Sequence, residues 1–347
     1  MDTKLRNLLD CNIEELEEIV KASGQPKFRA KQLWEWLYKG ADFDELTNLP
    51  GKLRQYLKEN YLPGKLSVRT KLQSKEDETV KYLLSLGDGN FVESVLMKYK
   101  YGYSACVSTQ VGCKMGCTFC ASTRAGFVRN LTAGEILGQI VTMNADMHIR
   151  IGHIVLMGIG EPLDNYENVL EFMKKAQSSS GLGISYRNMS LSTCGLTEKV
   201  IELSEENLPI TLSVSLHSPF DGQRSEMMPI NKKYSLDKLF DACNIYILNT
   251  GRRITFEYAL IEGVNDSEEH AEKLVSLLKG KLCHVNLIPV NKVEGTGYRK
   301  ASKKNILAFQ ERLEKGGVNA TVRRTLGQDI EAACGQLRRA ADENRRQ

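Results

Sequence analysis

"CKMGCTFC", residues 113–120, places three cysteines, Cys113, Cys117 and Cys120, within one short stretch. On a helix their offsets would spread them over two turns, and Gly116 interrupts them, so the segment reads as a loop. It follows directly on an apolar strand candidate, "SACVSTQ" (104–110).

The rest of the chain limits what such a loop is for. Apolar residues make up 41% and charged residues 26% of the 347 positions, an ordinary globular balance. No run is long and apolar enough to span a membrane. The N-terminal stretch is charged and amphipathic, unlike a secretory signal. The expectation is a cytoplasmic protein without a membrane partner, whose thiols are kept reduced. Clustered cysteines then point to a metal or to catalysis rather than to a disulfide scaffold. Structural zinc usually takes four ligands in two pairs, whereas here one cluster of three stands alone and Cys194, Cys243 and Cys283 are isolated. Three thiols can hold three corners of a [4Fe–4S] cube and leave one iron open for chemistry. A three-cysteine zinc site completed by a distant His or Cys is the other reading. The net charge of +4 permits a nucleic-acid partner without requiring one.

Outward from the loop, strand and helix patterns alternate. Strand candidates are "HIVLMGIG", "NMSLSTCG", "PITLSVSLHS", "RITFEYALI", "HVNLIPV" and "VNATVRR", separated by helical patterns over 132–146, 165–177, 197–205, 235–249, 267–279 and 302–315. The first helix opens with a capping box, Thr132 to Glu135. Such alternation builds a parallel sheet with helices outside. About six βα units fall short of the eight of a complete barrel. The expected fold is α/β, a partial (β/α)6 barrel, with a doubly wound sheet as the alternative. Residues 1–65 read as a small helical domain, 66–103 as a β-hairpin extension turning at Asp88-Gly89, 104–330 as the barrel, and 331–347 as a C-terminal segment with a polar, basic tail.

Ligands collect at the C-terminal ends of barrel strands. There lie Gly160 and Glu161 of "LMGIGEP", Ser192, the "SLHS" residues Ser215, Leu216 and His217, and Asn291 of "PVN". The small residues Gly158 and Gly160 would allow a close approach to a ligand, and Glu161 could accept a hydrogen bond from an ammonium group. "AACGQL" around Cys334 is a poor strand and reads as a loop passing near a site.

The C-x3-C-x2-C loop with Phe119 before the last cysteine resembles the signature of the radical S-adenosylmethionine (radical SAM) superfamily. Together with "VLMKYKYG", "CVSTQVGC", "MGIGEPL", "SLHSP", "MPIN", "VNLIPVN" and "DIEAACGQL", the chain resembles the RlmN family over most of its length. That resemblance implies a [4Fe–4S] cluster on Cys113, Cys117 and Cys120. It implies S-adenosyl-L-methionine bound by Gly160, Glu161, Ser192, Ser215, Leu216, His217 and Asn291, two molecules being used per turnover. It implies methylation of carbon 2 of adenosine in 23S rRNA, at the peptidyl-transferase centre, and in tRNA, 3′ of the anticodon. Cys334 is then the S-methylcysteine intermediate, Glu93 the proton acceptor, and Cys106 the resolving thiol in a transient disulfide with Cys334. An electron donor such as flavodoxin or ferredoxin and a monomeric state are further implications. Taken by periodicity alone, Glu93 would be a solvent-facing residue on an alternating strand. Supporting hints for RNA are Lys21, Lys27, Arg29, Lys31, Lys98, Lys100, Arg124, Arg129, Arg323, Arg324 and the tail. Competing readings are a Cfr-type enzyme acting on carbon 8, which confers antibiotic resistance, and a zinc-stabilised RNA-binding module.

Overall fold

The computed structural model describes residues 5–337 apart from 292 and 294. The basic tail, and with it the end of the expected C-terminal segment, lies outside the described residues.

One sheet of ten strands organises the chain. Seven of its strands are parallel: Gly102–Cys106, Ile151–Leu156, Met189–Thr193, Thr211–Ser215, Ile254–Leu260, Cys283–Pro289 and Ala320–Val322. The six expected helices fall between them, as Ala133–Met147, Tyr166–Gln177, Thr197–Glu205, Leu236–Thr250, Glu268–Leu278 and Lys303–Lys315. This is the α/β arrangement of parallel strands with helices outside that the alternation predicts. Central strands bury both faces, and Ile254–Leu260 is buried at every position, as strands beneath crossover helices must be. Thr132 and Glu135 form the expected capping box, and Glu135 also pairs with Arg129 at 2.6 Å.

The expected hairpin extension is larger than its two legible strands. Val80–Ser85 and Phe91–Tyr99 pair antiparallel around Asp88-Gly89, and a third strand, Ser67–Gln73, adds to the edge. The ribbon continues into the barrel, because Phe91–Tyr99 also pairs with Gly102–Cys106. Before it lies a unit of three helices, Ile13–Ala22, Arg29–Tyr38 and Gly51–Asn60, closed by the pairing of Arg6–Asn7 with Tyr61–Leu62. This unit docks on the barrel through Asp10, whose carboxylate accepts from the Gly134 amide at 2.6 Å.

Beyond the last strand the chain forms a strap. The Gly327 amide donates to the Asp77 carboxylate at 2.9 Å, and Asp329 accepts from the Ser74 hydroxyl and the Lys75 amide at 2.7 and 2.8 Å. The strap then turns to the cysteine loop, where Gly335 O accepts from Ala121 N and Leu337 O from the Ser122 hydroxyl. Leu326, Ala332 and Leu337 bury Val95, Met97 and Cys106 of the ribbon and first barrel strand. Strap, ribbon and cysteine loop thus close one side of the barrel.

Candidate active site

A cleft opens at the C-terminal ends of the parallel strands. Cys113, Cys117 and Cys120 line it, with Gly160, Glu161, Ser192, Ser215, His217, Asn291 and Cys334. The sequence positions chosen for a cofactor therefore meet in one place. Leu216 is the exception. It is fully buried in the core, and its backbone is held between Glu257 O and the Arg224 guanidinium.

The glycines of "GIG" do something other than expected. A Cβ on Gly158 would meet Val107 O at 2.6 Å, and one on Gly160, where φ is +108°, would meet the Gln110 side chain at 2.6 Å. Their smallness lets the loop lie against residues 107–110, which lead into the cysteines, rather than against a ligand alone. Thr109 N and Gln110 N both donate to Ile159 O, and Gln110 accepts from Glu161 N at 2.9 Å. The cysteine loop is thereby keyed to the end of the neighbouring strand.

Glu161 is buried, and burial raises its carboxyl above the ordinary value. It accepts from Cys194 N at 2.7 Å and from Leu163 N at 3.0 Å, which keeps it oriented and leaves acceptor capacity on the cleft side. His217 has a left-handed backbone, φ +57°, and its Nδ1 accepts from Ala259 N at 2.9 Å. The ring proton therefore resides on Nε2. Burial, aided by Arg224, pushes its pKa down to about 3, so it is neutral. Phe119 meets its ring edge-on at 4.7 Å.

The donor set suits a cluster. Burial raises all three thiols, Cys113 to about 12. Three neutral thiols facing one cleft become thiolates when a cationic centre compensates them. Among the described residues no group of three His, Cys, Asp or Glu converges on a single ion. A cuboid cluster makes no such demand, since each cysteine binds a different iron.

Cys334 faces two ways. It lines the main cleft and also a smaller adjoining cavity, walled by Cys106, Met97, Met157 and Arg323 among others. The Asn291 amide donates to Cys334 O at 3.0 Å, so Asn291 positions the methyl-carrying candidate as well as lining the cleft. Cys106 is buried, and its thiol is pushed up to about 12 by burial first and by Cys334 second. Both are free thiols, as are all nine cysteines. No disulfide joins Cys106 and Cys334 in the structure. Glu93 lines neither cavity wall, yet it is buried rather than solvent-facing, 5% exposed and 3.4 Å from Lys81. The strap covers the face that periodicity assigned to solvent.

Several residues escaped the sequence reading. Glu257 lines the cleft, is raised by burial and accepts from Asn286 at 2.8 Å. Arg224, fully buried, donates to Leu216 O, Cys194 O, Ser215 O and Asn231 Oδ1, tying together strand ends that carry the cleft. The "MPIN" motif around Asn231 was the available signal. Several basic residues chosen for RNA are engaged within the protein: Arg129 with Asp88 and Glu135, Lys98 with Glu78, Lys27 with Glu17, and Arg323 with Glu257 at 3.9 Å.

A partial barrel whose first strand leads into a three-cysteine loop, facing a Gly-Glu-Pro strand end, defines a radical SAM enzyme. Residues 107–275 match the Radical SAM superfamily model, and residues 6–62 match the model described as Ribosomal RNA large subunit methyltransferase N-terminal domain. The chain is 52% identical over 338 residues to the "Probable dual-specificity RNA methyltransferase RlmN" of Clostridium perfringens (strain SM101 / Type A), covering 97% of each. Its identity to the protein so named in Clostridium tetani (strain Massachusetts / E88) is also 52%, over 96% of each chain. A crystal structure of a radical SAM methyltransferase from Sphaerobacter thermophilus superposes with a TM-score of 0.92 at 41% identity, over 96% of this chain and 99% of that one. The chain belongs to the RlmN family of radical SAM methyltransferases.

Proposed function

We propose that the protein methylates carbon 2 of adenosine in 23S rRNA and in tRNA, with Cys334 carrying the methyl group. The observation behind this reading is that Cys334 borders both the cleft of the three-cysteine loop and the cavity containing Cys106. A thiol so placed can take a group from one side and present it to the other. A [4Fe–4S] cluster on Cys113, Cys117 and Cys120 would supply, with one S-adenosylmethionine, a sulfonium methyl group and, with a second, a hydrogen-abstracting 5′-deoxyadenosyl radical.

Carbon 2 of adenine is electron-poor and not a nucleophile, so it needs a carbon radical rather than a sulfonium methyl. Cys334, as thiolate, takes the methyl by displacement. Its S-methyl group then gives up a hydrogen atom, and the carbon left behind bonds to carbon 2. Glu93 accepts the carbon 2 proton, and the unpaired electron of the adduct would return to the iron–sulfur cluster, replacing the one spent on opening the second S-adenosylmethionine. Cys106 attacks Cys334 sulfur and forms the disulfide. The carbon–sulfur electron pair passes to the methyl carbon, which takes a proton and leaves with the base. Thiol exchange or reduction restores both cysteines. Gly160, Glu161, Ser192, Ser215, His217 and Asn291 hold the cofactor, and Leu216 serves through its backbone. Flavodoxin or ferredoxin as electron donor, a monomeric state and a cytoplasmic setting complete the reading. Among the described residues no helix is long and apolar enough to cross a membrane.

Nucleoside mass spectrometry of rRNA and tRNA, from cells with and without the gene, tests this. 2-Methyladenosine in both RNAs supports it. 8-Methyladenosine in its place would reject it in favour of Cfr-type chemistry. Zinc-loaded, colourless protein after anaerobic purification would reject it in favour of a binding module.

A further inference from the structure

Lys81 sits on strand Val80–Ser85 and is 8% exposed, an unusual place for a lysine. Its ammonium lies 3.4 Å from Glu93 Oε1 and donates to Glu331 O at 3.2 Å. These contacts join two parts of the site that belong to distant segments of sequence. Glu93 is on the neighbouring ribbon strand, and Glu331 is on the strap three residues before Cys334.

The strand register explains the meeting. Lys81 is opposite Val95, Glu93 is opposite Leu83, and Val95 is opposite Cys106 on the next strand. Odd-numbered residues of these two ribbon strands share one face, with period two. That face carries Glu93, Val95 and Met97 and is the one the strap covers. Without the strap, Lys81 and Glu93 would be an ordinary exposed cross-strand pair. Beneath it both charges are withdrawn from water, which is tolerated when each has a partner of opposite charge or a hydrogen bond. An ammonium with three donors can serve a carboxylate and a carbonyl together.

We infer that Lys81 is a positioning residue for the proton-transfer step, fixing the Glu93 carboxylate relative to the strap that carries Cys334. The inference rests on the proposed role of Glu93 as proton acceptor. Cys334 itself has anchors that do not involve Lys81: the Asn291 amide on its carbonyl, and the bonds from Ala121 and Ser122 to the residues that follow. Loss of Lys81 therefore disturbs the base more than the methyl carrier.

The test compares Lys81→Met, Lys81→Arg and Glu93→Gln in the reconstituted holoenzyme, with an RNA substrate bearing protium or deuterium at adenine carbon 2. Lys81→Met should keep its cluster spectrum and methylate Cys334 at the normal rate in the absence of RNA. Its kcat should fall roughly 10- to 100-fold, the cost of a small misplacement of a reacting group. Its deuterium isotope effect should rise above wild type, with covalent RNA–protein adduct accumulating. Lys81→Arg, which restores charge and donors, should recover most of the rate. A general loss of fold would lower all readouts together, and the comparison then passes to Lys81→Arg against Lys81→Gln. Normal turnover and an unchanged isotope effect in Lys81→Met, with Glu93→Gln defective, would overturn the inference and leave the base in place. Normal proton removal in Glu93→Gln would overturn both.

Discussion

Ser74 and Asp329, 255 positions apart in the chain, meet with the Ser74 hydroxyl donating to the Asp329 carboxylate at 2.7 Å. The Lys75 amide adds a second bond to the same carboxylate at 2.8 Å, and Asp77 returns the contact by accepting from Gly327 N. The turn of the ribbon thus grips the strap shortly before Cys334. Asp329→Ala removes two of these bonds. The cluster ligands are untouched, so iron content and uncoupled 5′-deoxyadenosine formation should stay at wild-type levels. Methylation of Cys334, followed by peptide mass spectrometry, should slow several-fold. An unchanged methylation rate would show that the other anchors hold the strap unaided.

Removal of the two thiols should separate the halves of the reaction. Cys334→Ala should abolish methyl transfer to RNA while the iron–sulfur absorption persists. Cys106→Ala should leave Cys334 methylation intact and trap a covalent RNA adduct, visible as a shifted, nuclease-sensitive band on a denaturing gel. Free product release by Cys106→Ala would pass the resolving role to another thiol.

His217 makes stability depend on pH. Its folded-state pKa, pushed down to about 3, lies below the ordinary value of 6.5 that the unfolded chain would show. The unfolded state therefore binds the extra proton first. The contribution is complete above pH 6.5 and is lost progressively as pH falls toward 3. The slope is at most about 1.4 kcal/mol per pH unit from this residue. His270 and His284 are lowered as well and act in the same direction. Urea denaturation between pH 7 and 4.5 should show a shallower loss in His217→Asn than in wild type; identical slopes would contradict the assignment.

Arg224→Met should cost stability through a definite route. The guanidinium serves three backbone carbonyls and the Asn231 side chain in a site without solvent. Methionine fills part of the volume and leaves those acceptors unpaired, at about 1–3 kcal/mol for each buried group. A total loss of about 3 kcal/mol or more should appear in chemical denaturation. Because the carbonyls belong to Cys194, Ser215 and Leu216, affinity for S-adenosylmethionine should weaken in parallel. Near-wild-type stability would mean that water replaces the donors.

Much of this architecture could be read from the sequence because it follows from periodicity and spacing. The parallel strands and their six helices announce themselves by apolar runs and amphipathic stretches. The cysteine loop announces itself by three thiols around a glycine. Strand Ser67–Gln73 gave no signal, because it is an edge strand exposed along its whole length and carries no apolar alternation. Glu93 was misplaced by periodicity for the opposite reason, since the face it shares with Val95 and Met97 is buried by a segment more than two hundred residues later. Arg224 and Lys81 look like surface charges in sequence. Their carbonyl and carboxylate partners come from separate strands, and only the tertiary fold brings them together. The glycines around Ile159 were recognised as a site of close approach, but their neighbour proved to be the backbone entering the cysteine loop.

The strap also bears on how the protein is made. The bonds from Ser74 to Asp329 and from Ser122 to Leu337 span 255 and 215 residues. Chain closure over such distances comes late in folding. The ribbon and neighbouring barrel strands pair over much shorter separations, so they can form before the strap docks. The segment carrying Cys334 reaches the wall that contains Cys106 only once the strap has docked. Docking of the strap is therefore the closure that completes the cleft, since it lays Leu326, Ala332 and Leu337 over Val95, Met97 and Cys106.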